Sequence, residues 1–231
     1  AFCVAPSFVA PRVGHHALVA QERGPTPVSP EQIRQAIGKL GDLDYTTRMN
    51  AARTVRRTSA PRAVPALLQA VSEHADGYVR YRALVLLTGF NDPRTKDAMR
   101  ESLNSPNDRL RAVAYSFFEH NPDRALVPTL LAAFEKEHAE FVRPSLVRAL
   151  AAAAKHLAEP ASDAITRVQQ ALVRDVSRGE DFFRSAVIEA LGDYKAAYAF
   201  GAIVAVARLE GPLQDDAALA LGRIGDKRSL D

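Results

Sequence analysis

Two groups of charged residues in this sequence have the types and the spacing that chemistry requires. His138 and Glu140 form a His-x-Glu pattern, in which the histidine can bind zinc and the glutamate can transfer protons. Such a zinc site also needs a Pro-Cys-x-x-Cys segment, and the only cysteine of the chain is Cys3. A P-loop, a glycine-rich dinucleotide loop and a serine triad are also missing. The sequence therefore predicts no catalytic residue, no cofactor and no metal site.

The second group consists of acidic residues that each precede an arginine by three or four positions. The pairs are Asp44 and Arg48, Asp76 and Arg80, Asp108 and Arg111, Glu140 and Arg143, and Asp181 and Arg184. Residues at this spacing share one face of an α-helix, and an acid at a helix N-terminus can accept hydrogen bonds from free backbone amides. We interpret the pairs as a structural ladder, in which each arginine reaches a carboxylate of its own repeat or of the adjacent one.

The arginines of these pairs recur with a period that predicts a repeat protein. They are separated by 32, 31, 32 and 41 residues, and Gln214 follows the last one by 30 residues, at a position where the ladder is interrupted. Three positions after these six residues stand Ala51, Ala83, Ala114, Leu146, Val187 and Ala217. Seven positions after them stand Val55, Leu87, Phe118, Leu150, Leu191 and Leu221. Apolar rows at a fixed period of this length are typical of a solenoid.

Helical periodicity and breaks predict six pairs of helices. The predicted hairpins pair residues 30–41 with 45–58, 61–73 with 77–89, 93–104 with 108–120, 122–137 with 140–157, 160–177 with 181–192 and 195–209 with 213–224. Residues 29–32, Ser-Pro-Glu-Gln, predict the start of the first helix, because they supply a capping serine, a proline at the first helical position and a glutamine that completes a capping box. We expect Gly89 and Gly192 to form the C-caps of their helices.

The repeats resemble those of a known family. Residues 61–92, PRAVPALLQAVSEHADGYVRYRALVLLTGFND, resemble a HEAT repeat, and residues 215–231, DDAALALGRIGDKRSLD, resemble the short HEAT-like repeats of the phycobilisome-lyase type. The resemblance covers residues 30–231. It implies an all-α fold, a right-handed α-solenoid of about six HEAT-like helical hairpins, and it implies that the second helix of each hairpin lines a concave surface.

This resemblance is specific for the fold and not for the function, because HEAT repeats serve scaffolds, transport factors, lyases and repair enzymes. We favour a non-enzymatic scaffold that binds a protein partner. The alternatives are a nucleic-acid-binding or DNA-repair protein and a lyase-like enzyme of the phycobilisome-lyase type. The net charge of +3 and the absence of tryptophan disfavour nucleic acid, although Arg53, Arg56, Arg57 and Arg62 form a basic cluster.

A third row of residues predicts where the partner binds. The residues five positions after the ladder position vary most in type: Arg53, Val85, Ser116, Arg148, Glu189 and Leu219. With neighbouring positions, the predicted partner-binding residues are Arg53, Tyr81, Arg82, Arg148, Glu189, Asp215 and Asp216. These residues are basic towards the N-terminus and acidic towards the C-terminus. We therefore expect an extended protein segment of opposite polarity, with Tyr81 as its aromatic anchor.

The two ends of the chain predict less. Residues 1–28 contain Pro6, Pro11, Pro25 and Pro27 and predict an irregular tail, separate from the solenoid of residues 29–231. If this tail is the remnant of a secretory signal cleaved at Ala20-Gln21, the protein is exported; otherwise it is cytoplasmic. No apolar run has the length of a membrane span. Residues 227–231 resemble the start of a further repeat, so we expect more repeats or stacking on another subunit.

Overall fold

The computed structural model describes residues 28–230, which contain twelve α-helices and no strand. The interpretations of the N-terminal tail, including Cys3 and the cleavage point, lie outside the described residues. Helices α1 to α12 are Pro30–Gly38, Tyr45–Arg56, Ala60–Glu73, Gly77–Leu87, Arg94–Ser102, Asp108–His120, Val127–Phe134, Arg143–His156, Asp163–Asp175, Asp181–Asp193, Phe200–Ala207 and Gln214–Ile224. They pair in order as hairpins 1 to 6, so the odd-numbered helices are first helices and the even-numbered ones are second helices. The all-α solenoid is confirmed.

The first helix begins as its sequence predicts. The Ser29 hydroxyl accepts a hydrogen bond from the Gln32 amide at 3.2 Å, and the Gln32 side chain accepts one from the Ser29 amide at 2.7 Å. Pro30 occupies the first turn, where its missing N–H leaves no intrahelical bond unmade. This reciprocal capping fixes the start of hairpin 1.

Carboxylates cap two of the second helices. Asp44 caps α2 and accepts a hydrogen bond from the Thr47 amide at 2.6 Å, and its bonds to Thr47 lower the pKa of the Asp44 carboxyl. Asp76 caps α4 in the same way and accepts from the Tyr78 amide at 2.8 Å. Each carboxylate thus satisfies a backbone donor that the helix itself leaves free.

The other three predicted acids lie elsewhere relative to the cap. Asp108 and Asp181 are the first residues of α6 and α10, one position after the cap, where they still interact favourably with the helix dipole. Glu140 is exposed in the turn before α8, whose cap residue is Val142. Residues 140–142 form a turn and α8 begins at Arg143, so the predicted start of this helix at residue 140 is wrong by three residues.

The two apolar rows form the core between the helices. The row three positions after the ladder position is buried in all six described hairpins, and the row seven positions after it is buried in hairpins 1 to 5, with Leu221 partly buried in hairpin 6. From hairpin 2 onwards, the second helices of neighbouring hairpins contact one another more extensively than the first helices do, whereas between hairpins 1 and 2 the first helices make the larger contact. The second helices therefore form the inner layer of the curved stack, and we call their solvent-facing side the inner surface.

The longer spacing before hairpin 5 is accommodated by the loop of residues 157–162 and by α9, which is longer than α7. Arg124 holds this loop from the preceding hairpin. Its guanidinium donates hydrogen bonds to the carbonyls of Leu157 at 2.6 Å, Glu159 at 3.0 Å and Pro160 at 3.1 Å. The inserted residues are thereby fixed to the preceding hairpin, and the second helices α8 and α10 remain in contact.

Gly192 has a different role from the C-cap that the sequence predicts. The helix α10 continues to Asp193, so Gly192 lies inside it and faces α12. A Cβ atom on Gly192 would lie 2.8 Å from the Cα atom of Ala220, which is closer than real Cβ contacts. The absence of a side chain therefore allows the backbones of α10 and α12 to approach.

We expect Gly192→Ala to destabilise the protein by about 1–3 kcal/mol, because the added methyl group must push two packed helices apart. Gly222→Ala is the matched control, since a Cβ at Gly222 would meet nothing within 4 Å. Removal of an exposed helical glycine should stabilise the protein by about 0.5–1 kcal/mol. Urea unfolding followed by circular dichroism measures both changes, and equal effects of the two substitutions would contradict the close approach.

Candidate functional site

The five ladder arginines share one contact that their sequence spacing does not reveal. Each donates hydrogen bonds, at 2.7 to 3.3 Å, to backbone carbonyls at the end of the first helix or in the turn of its own hairpin. The pairs are Arg48 with Asp42 and Leu43, Arg80 with Val71, Arg111 with Ser105 and Pro106, Arg143 with Phe134 and Glu137, and Arg184 with Val176. These carbonyls have no partner within their helix, and a cation is favoured beside them.

Gln214 takes the same position in hairpin 6 and makes the same contact. Its side-chain amide donates a hydrogen bond to the Ala207 carbonyl, the last residue of α11, at 3.1 Å. The expectation that Gln214 interrupts the ladder is therefore wrong for the hydrogen bond and holds only for the charge. The shared function of the row is to satisfy carbonyl groups.

The carboxylate partners of the row differ from the predicted ones. Among the described residues, Asp181 with Arg184 is the one predicted pair that forms an ion pair, at 2.8 Å. Arg48 and Arg80 donate hydrogen bonds to carbonyls and to no carboxylate of the described residues, because the carboxylates of Asp44 and Asp76 are directed at backbone amides. The expected pairing inside the same hairpin is thus found for Arg184, and the expected pairing with the adjacent hairpin is found for Arg111 and Arg143.

Two buried acids of the adjacent hairpins take the place of the predicted partners. Glu137 accepts two hydrogen bonds from Arg111, at 2.7 and 3.1 Å, and Asp175 accepts one from Arg143 at 3.0 Å. Both acids end the first helix of the following hairpin, or closely follow it, and both are buried. An acidic residue directly after an apolar helical stripe is the sequence signal that could have identified them.

The Arg111–Glu137 pair is the most enclosed contact between hairpins 3 and 4. Burial alone would raise the pKa of Glu137, but the hydrogen bonds from Arg111 and from the Ala139 amide outweigh it, and the net pKa is lowered. The charged form of Glu137 is therefore favoured in the folded protein, and the pair stabilises the contact between the two hairpins.

We expect Arg111→Ala to lower the free energy of unfolding by about 3 kcal/mol at pH 7, because Glu137 is left buried without its counter-charge. Since folding lowers the pKa of Glu137, the pair stabilises the protein above the unfolded pKa of about 4.3 and stops doing so as the pH falls through the folded pKa. The difference in the free energy of unfolding between wild type and Arg111→Ala should accordingly become smaller below pH 4. Arg109→Ala, at an exposed position two residues earlier, should change stability by less than about 0.5 kcal/mol.

The predicted partner-binding residues lie on the inner surface, and they differ in exposure and in the hydrogen bonds that they already make. Arg53, Glu189 and Asp215 are exposed, and the side chains of Tyr81 and Arg82 are partly buried. Asp216 accepts a hydrogen bond from the Ser185 hydroxyl of the preceding second helix at 2.6 Å. Arg148 is engaged in a network of its own.

This inner network joins the second helices of hairpins 3 to 6, and it consists of Glu119, Arg148, Asp193, Tyr194 and Arg223. Arg148 donates to Glu119 and to Asp193, each at 2.8 Å, and Asp193 also accepts from Arg223 at 2.8 Å. The Tyr194 hydroxyl donates to Glu119 at 2.9 Å. These bonds raise the pKa of Arg148, while burial, reinforced by the bond to Glu119, raises the pKa of Tyr194 to about 12. The expectation that Arg148 is free for a partner is corrected by these contacts.

We expect Arg148→Ala to destabilise the protein by about 2 kcal/mol, because Glu119, which is 8% exposed, loses its cation. Arg223→Ala is the control within the same network. The Arg223 side chain is 47% exposed and contacts Asp193 alone within the network, so its loss should cost no more than about 0.5 kcal/mol. Thermal and urea unfolding of both variants check this difference, and an unchanged melting temperature for Arg148→Ala would show that the network does not stabilise the fold.

The inner surface of hairpins 2 and 3 contains a cavity, whereas the inner network covers that of the later hairpins. A cavity of about 380 Å³ lies between α4 and α6. We call it the α4–α6 groove, and its lining residues are Tyr81, Arg109, Ala112, Val113, Ser116 and Phe141. A second cavity of about 430 Å³ shares Val113 and Ser116 with it and extends to the C-terminal ends of both helices. The two form one continuous, largely apolar channel.

Aromatic side chains recur at a repeat position that sequence reasoning missed, and one of them, Phe141, lines the groove. Tyr78, Phe141 and Phe182 each stand two positions before a ladder arginine, and Phe141 and Phe182 are 54% and 53% exposed. The Tyr78 ring lies 5.6 Å from that of Tyr81, and the Arg109 guanidinium lies 5.4 Å from the Tyr78 ring. The recurrence of aromatic residues at one repeat position was the available signal.

The charge around the groove is positive and not neutralised by the fold. Helices α2 and α4 contain no acidic residue. In the part of the chain that the structure describes, no carboxylate pairs with the guanidinium of these groove-side arginines: Arg53, Arg56, Arg82 and Arg109. The Nε atom of Arg82 is buried without a hydrogen-bond partner. Helices α10 and α12 instead carry the acids Glu189, Asp215 and Asp216.

Residues 28–230 meet the requirements of neither a metal site nor a membrane-spanning helix. These residues contain no group of three histidine, cysteine, aspartate or glutamate side chains that could hold a metal ion. None of the helices in this part of the chain combines the length and the apolar character of a membrane span.

Comparison with known proteins identifies the repeats. A family model of HEAT repeats matches residues 30–119 and again residues 64–151, which together make up more than half of the chain. No curated protein matches the chain in sequence.

Solved structures show limited likeness. An engineered protein is 19% identical, with a TM-score of 0.49 over 84% of this chain and 96% of its own. The complex of CpcE and CpcF of phycocyanin lyase from Nostoc is 19% identical, with a TM-score of 0.42 over 93% of this chain and 92% of its own. Human deoxyhypusine hydroxylase is 19% identical, with a TM-score of 0.36 over 87% of this chain and 76% of its own.

Proposed function

The chain belongs to the HEAT-repeat family, and from that premise we propose that it is a non-enzymatic scaffold that binds a protein segment on its inner surface, in the α4–α6 groove. The observation that carries this proposal is the open apolar groove itself, which exposes Phe141 and a face of Tyr81 beside Val113. Apolar and aromatic side chains at the centre of a concave surface are the usual energetic anchors of protein interfaces.

The contrast between the two halves of the inner surface supports this location. In hairpins 4 to 6 the inner network binds its own charges together, and a partner would have to displace Arg148 from two carboxylates to reach them. On the inner surface of hairpins 1 to 3, Arg53, Arg82 and Arg109 have no carboxylate partner in the described residues. Of the predicted contacts, we retain Tyr81 in the groove, with Arg82 on α4 and Arg53 on α2 as more distant contacts.

The acidic residues predicted for the other end serve a second contact. Glu189 and Asp215 are exposed on α10 and α12 and can contact a basic part of a long segment. Asp216 reaches the same surface but already accepts a hydrogen bond from Ser185. We therefore place the main contact at the groove and a weaker one at the acidic end.

We expect Ser116→Trp to reduce partner binding at least tenfold, because Ser116 is exposed, lies in both parts of the channel and can be enlarged without disturbing the core. Thr129→Trp is the matched control, since Thr129 is exposed on the first helix α7, in the outer layer. The immobilised wild type and both variants are incubated with a cell extract, and retained proteins are identified by mass spectrometry. A protein retained by wild type and by Thr129→Trp but lost from Ser116→Trp is the expected result.

The same proteins on all three columns, or none on the wild type, would contradict binding in the groove. Circular dichroism shows whether each variant keeps the wild-type helix content, so that loss of binding is not loss of folding.

A further inference from the structure

We infer that the segment bound in the α4–α6 groove is a short acidic peptide with one large apolar side chain as its anchor. This inference rests on the proposed function above and adds the chemistry of the ligand. It depends on the charges around the groove, on the residues that line the groove and on the distance between the arginines of α2 and the groove.

The arginines around the groove favour a negatively charged ligand. The exposed guanidinium groups of Arg53, Arg56 and Arg109 have no carboxylate partner in the described residues, and the acids of α6 are Asp108 at its first turn and Glu119, which Arg148 binds. A ligand carboxylate would therefore meet arginines that pair with no carboxylate of the described residues, in competition with Asp108 and Glu140, which adjoin the lining residues Arg109 and Phe141 in sequence. Bidentate arginine–carboxylate contacts are among the stronger polar contacts that such a surface can make.

The groove itself selects an apolar group. Its walls are Ala112 and Val113 on one side and the ring of Tyr81 on the other, with Phe141 at the rim. The Arg109 guanidinium lies beside the Tyr78 ring at the N-terminal end of the groove. A volume of about 380 Å³ accepts a leucine or an aromatic side chain together with adjoining backbone.

The geometry also limits the length of the acidic part. Neighbouring packed helices lie about 8–10 Å apart, so α2 with its arginines lies about 20 Å from α6, the far wall of the groove. An extended chain covers this distance in about six residues. Beyond the groove in the other direction the inner surface becomes acidic at Glu189 and Asp215, and a long polyanion that ran along the whole solenoid would meet repulsion there. A short acidic stretch on one side of the anchor fits both conditions.

Selection of random twelve-residue peptides on phage against the immobilised full chain tests this inference. We expect the enriched peptides to carry a net negative charge and a leucine or aromatic residue, with the acids within about six positions of it. Enriched peptides that are neutral or basic, or the absence of any enrichment, overturn the inference.

Matched charge variants test the same point in solution, with a fluorescein-labelled enriched peptide and anisotropy as the readout. We expect Arg53→Gln/Arg56→Gln/Arg109→Gln to weaken binding at least tenfold at low salt and to reduce its salt dependence. The control Arg167→Gln/Arg178→Gln/Arg208→Gln removes the same charge from three exposed arginines outside the groove and should stay within twofold of wild type. Equal binding by the two triple variants overturns the inference.

Two further measurements separate this inference from the proposed function and from nucleic-acid binding. If enriched peptides lose affinity with Ser116→Trp but are not acidic, the groove binds peptides and the ligand chemistry is wrong. If Ser116→Trp leaves their affinity unchanged, the proposed function fails as well. A labelled duplex DNA that binds more tightly than the peptides, and whose binding Ser116→Trp does not alter, overturns the inference in favour of nucleic acid.

Discussion

The unpaired carbonyl groups at the end of each first helix are the constraint on which the hairpins depend. The last carbonyls of an α-helix have no intrahelical partner, and the first turn of the second helix lies within reach of them. An arginine in that first turn satisfies them in hairpins 1 to 5, and Gln214 does so in hairpin 6 with a neutral amide. The hydrogen bond is therefore the common requirement, and the positive charge adds favourable interaction with the helix dipole. The same contact fixes how the two helices of a hairpin are oriented.

This requirement explains which rows of the second helix are free to vary. Once the ladder position faces the first helix, the residues three and seven positions later must face the core, and the residue five positions later faces solvent on the inner surface. The protein uses that solvent-facing row differently along its length. Arg148 joins three second helices through Glu119 and Asp193, whereas the exposed side chains of Arg53 and Ser116 form no hydrogen bond or ion pair with another hairpin in the described residues. One position of the repeat thus carries a structural contact in one hairpin and an open surface in another.

The sequence predicted the features that are encoded locally or by the period, and it did not identify which residues meet between neighbouring hairpins. The twelve helices, the capping box at Ser29 and the buried rows follow from spacing that a single chain segment reveals. The partners of Arg111 and Arg143 are 26 and 32 residues away in sequence, and their identity depends on how neighbouring hairpins stack. Gly192 was predicted as a cap because glycine often ends helices, while its actual neighbour, Ala220, belongs to the next hairpin. Repeat position therefore predicts burial well and pairing poorly.

The division of the inner surface also has an energetic reason. A charged side chain that is held by carboxylates of the same fold can bind a partner only if those contacts are broken or shared, and a buried acid that loses its cation destabilises the protein. Arg148 is held by the buried Glu119 in this way. A partner of the later hairpins would therefore have to break or share that contact. The earlier hairpins keep arginines without internal partners beside an apolar groove, and their stability depends on the core rows instead. Internal pairing and a free guanidinium thus exclude each other at the same repeat position, and the groove that we propose as the binding site lies at α6, where Ser116 takes the position that Arg148 takes in α8.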